Sequence, residues 1–356
     1  MTGNLATGQS GNQAVPSCQV AIEREKVSHL KDSFGRVIDD LRISLTDRCN
    51  FRCVYCMPAE GLAWLPKREI LSYEEILRLA RIFIDLGIRT VRLTGGEPLM
   101  RQDIDVLIAG LTRFQPDLDL SMTTNGFFLK EKARRLAEAG LKRINVSLDS
   151  LQPERFERMV RRDGQLVVKI LEGLALAREA GLQPIKLNCV VMRGYNEDEV
   201  VDFARMGRDQ DYQVRFIEFM PLDAQGEWSM TAVVPGAEIL ARIHEVFPLA
   251  PAGGNGSEPA TVYRFADGRG AIGIIASVTE PFCDSCNRIR ITADGQLRTC
   301  LFSVHEHNLK GLLRSGATDE EIADFILAAV WKKEPGHKIN QPDFVKPARS
   351  MSAIGG

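Results

Sequence analysis

The sequence predicts an α/β protein whose strands form an incomplete barrel of the TIM type, built from six βα repeats. Apolar-rich segments of strand length alternate with helical patterns along the first two thirds of the chain. Repeated βα units form a parallel sheet, because each crossover helix returns the chain to the same edge. The predicted strands cover residues 41–46, 90–94, 118–124, 144–149, 185–192 and 214–220, and the predicted helices include 73–86, 129–139, 166–180 and 197–208.

A polar face runs through nearly every predicted strand. Parallel strands covered on both sides are normally apolar throughout. Here alternate residues are polar, so one side of the sheet needs water or a ligand rather than a helix. We therefore expect that side to line an open, wet barrel. The polar positions are Arg42, Ser44 and Thr46; Arg92 and Thr94; Asp119, Ser121 and Thr123; Asn145, Ser147 and Asp149; Lys186 and Asn188; in the sixth strand Glu218 shares a face with Met220.

Composition limits the class of protein. The chain has 356 residues and a formal net charge of −2, with 44% hydrophobic and 26% charged residues, which is ordinary for a globular protein. A net charge near zero gives no general attraction to nucleic acid or to an acidic membrane. No run of about eighteen apolar residues is present, which predicts no membrane span. We expect a cytoplasmic protein with neither of these partners.

Four segments are expected along the chain. Residues 1–28 are rich in Gly, Gln, Ser, Asn and Thr and predict a disordered leader. The barrel is expected over 34–250 and a C-terminal domain over 260–345, with a tail over 346–356. A further helix is predicted near 236–246, and the stretch 251–259, rich in Pro, Gly and Ser, predicts a linker or surface loop.

Three cysteines directly after the first predicted strand, Cys49, Cys53 and Cys56, are spaced Cys-x3-Cys-x2-Cys. Three thiolates on one short loop suit a four-iron, four-sulfur cluster whose fourth iron has no protein ligand. A zinc site is the alternative, but zinc sites usually show paired Cys-x2-Cys and a nearby fourth ligand. No His or Cys occurs in the thirty residues after Cys56. The spacing favours a cluster with one iron open to a substrate.

A second set of three cysteines, Cys283, Cys286 and Cys300, is spaced Cys-x2-Cys-x13-Cys. Zinc is a stronger alternative here, because His305 or His307 could supply a fourth ligand. The presence of the first motif favours a second iron–sulfur cluster. The basic residues Arg288 and Arg290 share one face of the strand that follows, an arrangement typical of an anion clamp.

The first cysteine motif, with Tyr55 before its last cysteine, resembles the signature of the radical S-adenosylmethionine (SAM) superfamily. The resemblance implies an incomplete (β/α)6 barrel and a cluster whose open iron binds the amino and carboxylate groups of SAM. It implies a 5′-deoxyadenosyl radical that abstracts hydrogen from a substrate. Residues 94–98 resemble the Gly-Gly-Glu motif that holds the SAM amino group. The SAM contacts implied by the resemblance are Tyr55, Gly96, Glu97, Ser147 and Met220.

Within the superfamily, the chain resembles the GTP 3′,8-cyclase family in residues 41–58, in residues 283–290 with Cys300, and in the final Gly355 and Gly356. The resemblance implies conversion of GTP to (8S)-3′,8-cyclo-7,8-dihydroguanosine 5′-triphosphate, the first step of molybdopterin (molybdenum cofactor) biosynthesis. The radical would take the 3′ hydrogen, and C3′ would then bond to C8 of guanine. Two 4Fe-4S clusters and SAM are the implied cofactors. An external electron donor and cyclic pyranopterin monophosphate synthase, which accepts the product, are the implied partners, and a homodimer is allowed.

The resemblance also implies which residues contact GTP. A triphosphate carries a charge of about −4 and needs fixed cations in the cavity. The family has a lysine two residues before Arg92, where this chain has Thr90. Gly355 and Gly356 are implied to insert near GTP and support catalysis. The implied GTP contacts are Arg42, Arg92, Thr123, Lys186, Arg288, Ile289 and Arg290.

Two other classes of protein fit parts of the sequence. A radical SAM peptide-modifying enzyme with an auxiliary cluster would explain both cysteine sets, but such extensions usually carry more than the three cysteines found after residue 260. A zinc-bearing binding module without catalysis would explain the second set alone. It would not explain why the predicted strands share a polar face.

Overall fold

The computed structural model describes residues 1, 29–253, 256–339 and 341–355. The predicted leader, apart from Met1, lies outside the described residues, and so does Cys18. The strands are β1 Leu30–Lys31, β2 Val37–Ile38, β3 Asp40–Ser44, β4 Thr90–Thr94, β5 Asp119–Thr124, β6 Arg143–Ser147, β7 Ile185–Val191, β8 Gln213–Glu218, β9 Leu249–Pro251, β10 Thr261–Phe265, β11 Ala271–Ile275, β12 Arg288–Ile291, β13 Gln296–Arg298 and β14 His307–Asn308. The α-helices are α1 Tyr73–Asp85, α2 Ile104–Phe114, α3 Leu129–Glu138, α4 Pro153–Val160, α5 Leu166–Glu179, α6 Val200–Gln210, α7 Gly236–Val246, α8 Leu309–Arg314, α9 Asp319–Trp331 and α10 Met351–Ile354.

The six predicted strands form the centre of one parallel sheet. Strands β3 to β8 lie side by side in sequence order, and each pairs in parallel with the next. Two strands from the C-terminal part extend this sheet, since β12 pairs in parallel with β3 and β11 pairs in parallel with β8. Antiparallel strands then complete the two ends, β13 and β14 beyond β12, and β10 and β9 beyond β11.

The helices bury the apolar side of the sheet. Helix α1 begins with a capping box, in which the Ser72 hydroxyl accepts from the Glu75 backbone and the Glu75 carboxylate accepts from the Ser72 backbone. Its apolar residues recur every three or four positions and bury Ile76, Leu79 and Phe83 against the sheet. Each such side chain contributes about 1.5–3 kcal/mol when it leaves water. None of the described helices is long and apolar enough to cross a membrane.

Helix α6 begins three residues later than the predicted 197–208. The amide side chain of Asn196 explains the difference, because it bonds to the backbone before the helix. Its Oδ1 accepts from Met192 N at 2.8 Å and its Nδ2 donates to Val190 O at 2.9 Å. An Asn side chain that binds the backbone in this way favours a turn over a helix.

The sixth strand differs from the sequence interpretation. The face of β8 that lines the interior carries Arg215 and Ile217. Glu218, placed by the alternation on one face with Met220, is fully buried and accepts hydrogen bonds from the backbones of Gly236, Val278 and Thr279. Parity cannot distinguish a carboxylate that faces a cavity from one that satisfies buried backbone donors.

Candidate active site

Both cysteine sets and the polar strand faces meet at one cavity. The cavity has a volume of about 300 Å³ and lies at the carboxyl ends of the parallel strands. Residues of β12, at one end of the parallel strands, and of β11, at the other, line the same cavity. The sheet therefore curves around it, and the C-terminal ends of parallel strands are where α/β barrels carry their chemistry. The cysteines on the wall are Cys49, Cys56, Cys283, Cys286 and Cys300.

The first cysteine loop is held by the segment that follows β4. Gly96 N donates to Thr46 O, and Glu97 N donates to Arg48 O, each at 2.7 Å. A Cβ on Gly96 would lie 2.3 Å from Arg48 O, so a larger residue would push the cysteine loop away. The absence of a side chain on Gly96 therefore lets the backbone after β4 lie against the cysteine loop, and Gly96 also lines the cavity.

The thiols of the first set need positive partners. Burial raises the pKa of Cys49 to about 11 and that of Cys56 to about 12, and it also raises the pKa of Cys53. The thiols raise one another's pKa values as well, because three thiolates on one loop repel each other. Cys49 Sγ accepts from Phe51 N and from Asn125 Nδ2, which favours its thiolate form. This donor set fits an iron–sulfur cluster, whose irons would neutralise the buried thiolates.

A four-iron cluster and a single zinc ion make different demands on the cysteines. Zinc draws its ligands to about 2.0–2.3 Å around one centre. A four-iron cluster is larger, and each of its thiolates binds a different iron. Among the residues that the structure describes, no three His, Cys, Asp or Glu side chains come close enough together to hold one metal ion.

The second set is assembled from two loops. A single 3-10 turn, Cys283–Ser285, leads into β12, while Cys300 follows β13. Burial raises the pKa of Cys283 and Cys300. Burial acts in the same direction on Cys286, but Arg288 and Lys333 outweigh it and lower the pKa of that thiol.

A histidine that the sequence interpretation missed lies beside this set. His337 lines the cavity, and its backbone bonds to the thiol of Cys283. His305 and His307, proposed as zinc ligands, are not among the residues of the cavity wall. No local spacing marks His337, which is separated from Cys300 by helices α8 and α9.

Three arginines form a row across neighbouring strands. In the register of the sheet, Arg290 of β12 pairs with Arg42 of β3, which pairs with Arg92 of β4. All three line the cavity. Burial lowers the pKa of Arg42 well below its ordinary value, and the neighbouring guanidiniums of Arg290 and Arg92 lower it further. Like charges side by side on a sheet are destabilising, so the row predicts an anionic ligand.

Several polar atoms on the cavity wall are buried and lack a hydrogen-bond partner in the described structure. They are Nε of Arg42, Oγ of Ser277 and Nδ1 of His337. Buried polar groups are nearly always hydrogen-bonded, and an unpaired one costs about 1–3 kcal/mol. A polar ligand in the cavity would supply the missing partners.

Four of the five residues expected to contact SAM line the cavity: Tyr55, Gly96, Ser147 and Met220. Glu97 lies behind the wall and is fully buried, where its carboxylate accepts from Leu99 N, Asn125 N and the Thr124 hydroxyl. Burial raises the pKa of Glu97 to about 7, although these hydrogen bonds oppose the shift.

Five of the seven residues expected to contact GTP also line the cavity: Arg42, Arg92, Thr123, Arg288 and Arg290. Lys186 is not on the wall. It is buried on β7, with its Nζ 3.8 Å from Glu258 Oε1. Ile289 is fully buried in the hydrophobic core.

The sequence interpretation missed the cation Arg215. It lines the cavity beside Asn188, its pairing partner on β7, and its Nη2 lies 2.9 Å from Glu258 Oε2. Burial lowers the pKa of Arg215 to about 10. The alternation did not identify it, because polar residues occur on both faces of this strand.

The chain's tail reaches into the same site. Met351 and Ser352 of α10 line the cavity, and hydrogen bonds from Ser352 favour the thiolate of Cys56. Gly355 adopts φ 93°, and its carbonyl oxygen accepts from Arg290 Nη1 at 3.3 Å. Gly356 lies outside the described residues.

Known proteins resemble this chain over most of its length. A family model of the radical SAM superfamily matches residues 43–207, and a model described as Molybdenum Cofactor Synthesis C matches residues 212–339. A GTP 3′,8-cyclase of Streptomyces coelicolor is 49% identical over 336 residues, covering 94% of this chain and 98% of the relative. A GTP 3′,8-cyclase of Corynebacterium glutamicum is 47% identical and covers 92% of this chain and 89% of the relative.

The fold recurs in a more distant protein. The crystal structure of Streptococcus suis SuiB bound to S-adenosylmethionine matches with a TM-score of 0.54 at 15% identity, over 88% of this chain and 77% of that chain. At that identity the match concerns the fold, and it confirms the predicted radical SAM architecture. Sequence identity near one half over nearly the whole length settles the family. This chain is a member of the GTP 3′,8-cyclase family of radical SAM enzymes.

Proposed function

We propose that this chain converts GTP to (8S)-3′,8-cyclo-7,8-dihydroguanosine 5′-triphosphate, the first step of molybdenum cofactor biosynthesis. Family membership supports this activity, and one structural observation carries it. Two cysteine sets suited to iron–sulfur clusters and a row of three arginines suited to a triphosphate line a single cavity. A cavity with only one of these features would fit many radical SAM enzymes.

Cys49, Cys53 and Cys56 would hold one 4Fe-4S cluster, and Cys283, Cys286 and Cys300 would hold the other. When SAM is held beside the first cluster, it would supply the 5′-deoxyadenosyl radical chemistry that removal of the 3′ hydrogen of GTP requires. Tyr55, Ser147 and Met220 would contact SAM from the cavity wall, with Gly96 and Glu97 at the end of β4 near its amino group. The Tyr55 hydroxyl donates to Asp149 Oδ2 at 2.7 Å, which holds the ring in place on the wall.

The arginine row would bind GTP. Arg290, Arg42 and Arg92 are paired at one level of the sheet, and Arg288 lies two residues before Arg290 on β12. Guanidinium groups bind phosphate oxygens through two parallel hydrogen bonds, which fixes orientation as well as charge. Thr123 would add a hydroxyl contact. Lys186 and Arg215 extend the positive charge along the interior, and Glu258 balances part of it.

The tail would close the site against water. The tail lies against both the first cysteine loop, through Ser352 of α10, and the arginine row, through Gly355 directly after α10. A radical reaction requires exclusion of competing hydrogen donors, and a packed segment over the cavity serves that purpose. We propose that Gly355 and Gly356 support catalysis from this position.

Finer features of the biology are also proposals. An external electron donor would serve the first cluster, and cyclic pyranopterin monophosphate synthase would accept the product. A homodimer is also proposed, and sedimentation equilibrium would test it. We also propose a cytoplasmic location, because six of the eight cysteines fall into two sets suited to metal ligation, which fits a reducing compartment.

The experiment that tests the activity uses protein purified and reconstituted without oxygen. The protein is mixed with GTP, SAM and a chemical reductant, and the nucleotide products are separated and identified by mass and nuclear magnetic resonance. We expect 5′-deoxyadenosine and the cyclised triphosphate in equal amounts. GTP labelled with deuterium at C3′ should transfer that label to 5′-deoxyadenosine. If the 5′-deoxyadenosine formed with this GTP carried no deuterium, the proposal would be contradicted.

A further inference from the structure

The second cysteine set is surrounded by cations whose partners are backbone carbonyl groups. Lys333 follows α9 and is 2% exposed. Its Nζ donates to Arg288 O at 3.0 Å and to Thr299 O. Arg288 lies two residues after Cys286, and Thr299 directly precedes Cys300. The ammonium is therefore fixed between the two strands that present these cysteines.

Lys333 is unusual because it is buried without a negatively charged partner. Both acceptors of its ammonium are carbonyl oxygens, so within the described residues no carboxylate neutralises it. Buried lysines are rare unless they are paired, because desolvation of an ammonium costs several kcal/mol. The nearest carboxylate on its segment belongs to Glu334, which accepts from the Thr299 hydroxyl instead. A buried charge of this kind implies an anion elsewhere in the site.

The three cysteines are the groups that can supply this anion. The two carbonyl groups that hold the Lys333 ammonium belong to residues within two positions of Cys286 and Cys300, so its charge is fixed beside this set. Arg36 reinforces it, because its Nη1 donates to Cys283 O at 2.8 Å, although Asp32 offsets its charge. Metal-bound thiolates keep their negative charge, and a cluster with three of them is anionic as a whole.

The first cysteine set has the opposite surroundings. Asn125 donates from its backbone to Glu97 Oε2 and from its side chain to Cys49 Sγ, and the Tyr55 hydroxyl donates to Asp149 Oδ2. Arg52 Nη1 donates to Cys49 O at 2.8 Å. Two buried carboxylates therefore adjoin the first set, whereas a buried ammonium, with Glu334 at Thr299, adjoins the second. The buried ammonium of Lys333 therefore distinguishes the second set from the first.

We propose that Lys333 is the fixed counter-ion of the second cysteine set and makes the iron–sulfur cluster held there easier to reduce. This rests on the proposed function only in placing a cluster at that set. Reduction adds one negative charge to the cluster, and a buried ammonium stabilises the reduced form more than the oxidised form. Net charge and hydrogen bonding are among the factors that set cluster potentials. Lys333 would act on the cluster through its charge. Its ammonium contacts backbone carbonyl groups and not the substrate, so it is not a catalytic residue.

The test measures the midpoint potential of the second cluster alone. The full chain carrying Cys49→Ala, Cys53→Ala and Cys56→Ala is reconstituted without oxygen and titrated while electron paramagnetic resonance follows the reduced cluster. Lys333→Met is compared with Lys333→Arg and with Lys332→Met, which removes the same charge from the exposed neighbouring residue. Iron and sulfide are counted in every sample, and circular dichroism checks folding.

We expect Lys333→Met to disfavour reduction at least tenfold at a fixed potential, which is a fall of about 59 mV for one electron. Lys333→Arg and Lys332→Met should stay close to the unsubstituted protein. An unchanged potential in Lys333→Met with full iron content would overturn the proposal, and so would an equal shift in Lys332→Met. If Lys333→Met does not retain its cluster, Lys333→Gln is titrated in its place under the same criteria.

The outcome is separable from that of the proposed function. Stoichiometric zinc at the second set would overturn the inference directly, whatever the chain does to GTP. Failure to cyclise GTP, in protein that holds both clusters and shows the Lys333 shift, would refute the proposed activity alone. Cyclisation with an unshifted Lys333→Met cluster would refute the inference alone.

Discussion

The carbonyl oxygen of Gly355 accepts a hydrogen bond from the guanidinium of Arg290 at 3.3 Å, inside the barrel. The contact joins the tail to the arginine row on β12. A Cβ on Gly355 would lie 2.6 Å from the Cβ of Ser44, and φ is 93°, so only glycine fits this position without strain. The tail is thus fitted to the cavity wall by its smallest residue.

Replacing Gly355 with Ala should displace the tail and stop cyclisation while both clusters still assemble. Deleting Gly355 and Gly356 should have the same effect. Gly194→Ala is the matched control, because Gly194 has φ 76° but nothing lies within 4 Å of a Cβ there. It would show the cost of the backbone conformation without the clash. Product formation and iron content are measured together, and full turnover by Gly355→Ala would show that the tail plays no part.

Removal of either Arg288 or Arg290 should weaken GTP binding and leave reductive cleavage of SAM largely intact. A lost charge-assisted contact of about 1.5–3 kcal/mol corresponds to roughly a ten- to hundredfold rise in the dissociation constant. Equilibrium dialysis with GTP measures the affinity of each Ala variant, and Arg269→Ala, at an exposed position, serves as the control. Normal GTP affinity in both variants would remove these arginines from the binding site.

The reconstituted chain should hold about eight irons. Replacing Cys49, Cys53 and Cys56 with Ala should leave about four, and so should replacing Cys283, Cys286 and Cys300. Cys189→Ala is a suitable control, because Cys189 is buried in the hydrophobic core. Iron, sulfide and zinc analysis of protein purified without oxygen provides the measurement. About four irons with one zinc per chain would show that the second set is a zinc site.

The free energy of unfolding should fall as pH rises from about 4.5 to about 7, because Glu97 has a higher pKa in the folded protein than in the unfolded chain. The folded-state pKa of about 7 lies above the ordinary value of 4.5, so between these values the folded protein keeps a proton that the unfolded chain releases. Protonated Glu97 therefore contributes about 3 kcal/mol to the free energy of unfolding below about pH 4.5, and this contribution is lost by about pH 7.

Urea unfolding of the cluster-free protein at a series of pH values, compared with Glu97→Gln, isolates this contribution. The two pH profiles should diverge between pH 4.5 and 7 and run parallel above that range. Parallel profiles throughout would mean that Glu97 is already ionised in the folded protein at acid pH.

Removing the hydroxyl of Tyr55 should destabilise the protein by about 1–3 kcal/mol, because Asp149 Oδ2 would lose the donor that lies 2.7 Å away. Tyr73→Phe is the matched control, since that hydroxyl donates to Gln102 O at an exposed position. Denaturant midpoints of Tyr55→Phe, Asp149→Asn and the double variant give the coupling free energy. A coupling near zero would mean that Asp149 does not hold the Tyr55 ring.

Local features of the fold were predictable because they depend on short-range spacing. Alternation with a period of two located the six strands to within a few residues, and it placed Arg42, Arg92 and Thr123 on the inward face. Cysteine spacing selected the two candidate cluster sites. Parity failed in β8, where Glu218 satisfies buried backbone donors and Arg215 faces the cavity.

Relationships between distant segments required the tertiary structure. The arginine row exists because β12 pairs with β3, and these two strands are far apart along the chain. Lys333, Arg36 and His337 reach the second cysteine set from segments that no local motif marks. Short-range patterns in the chain specify the period of each element and the chemistry of each side chain. Which side chains share a cavity was decided only when burial of the apolar faces curved the sheet and brought its two ends around one space.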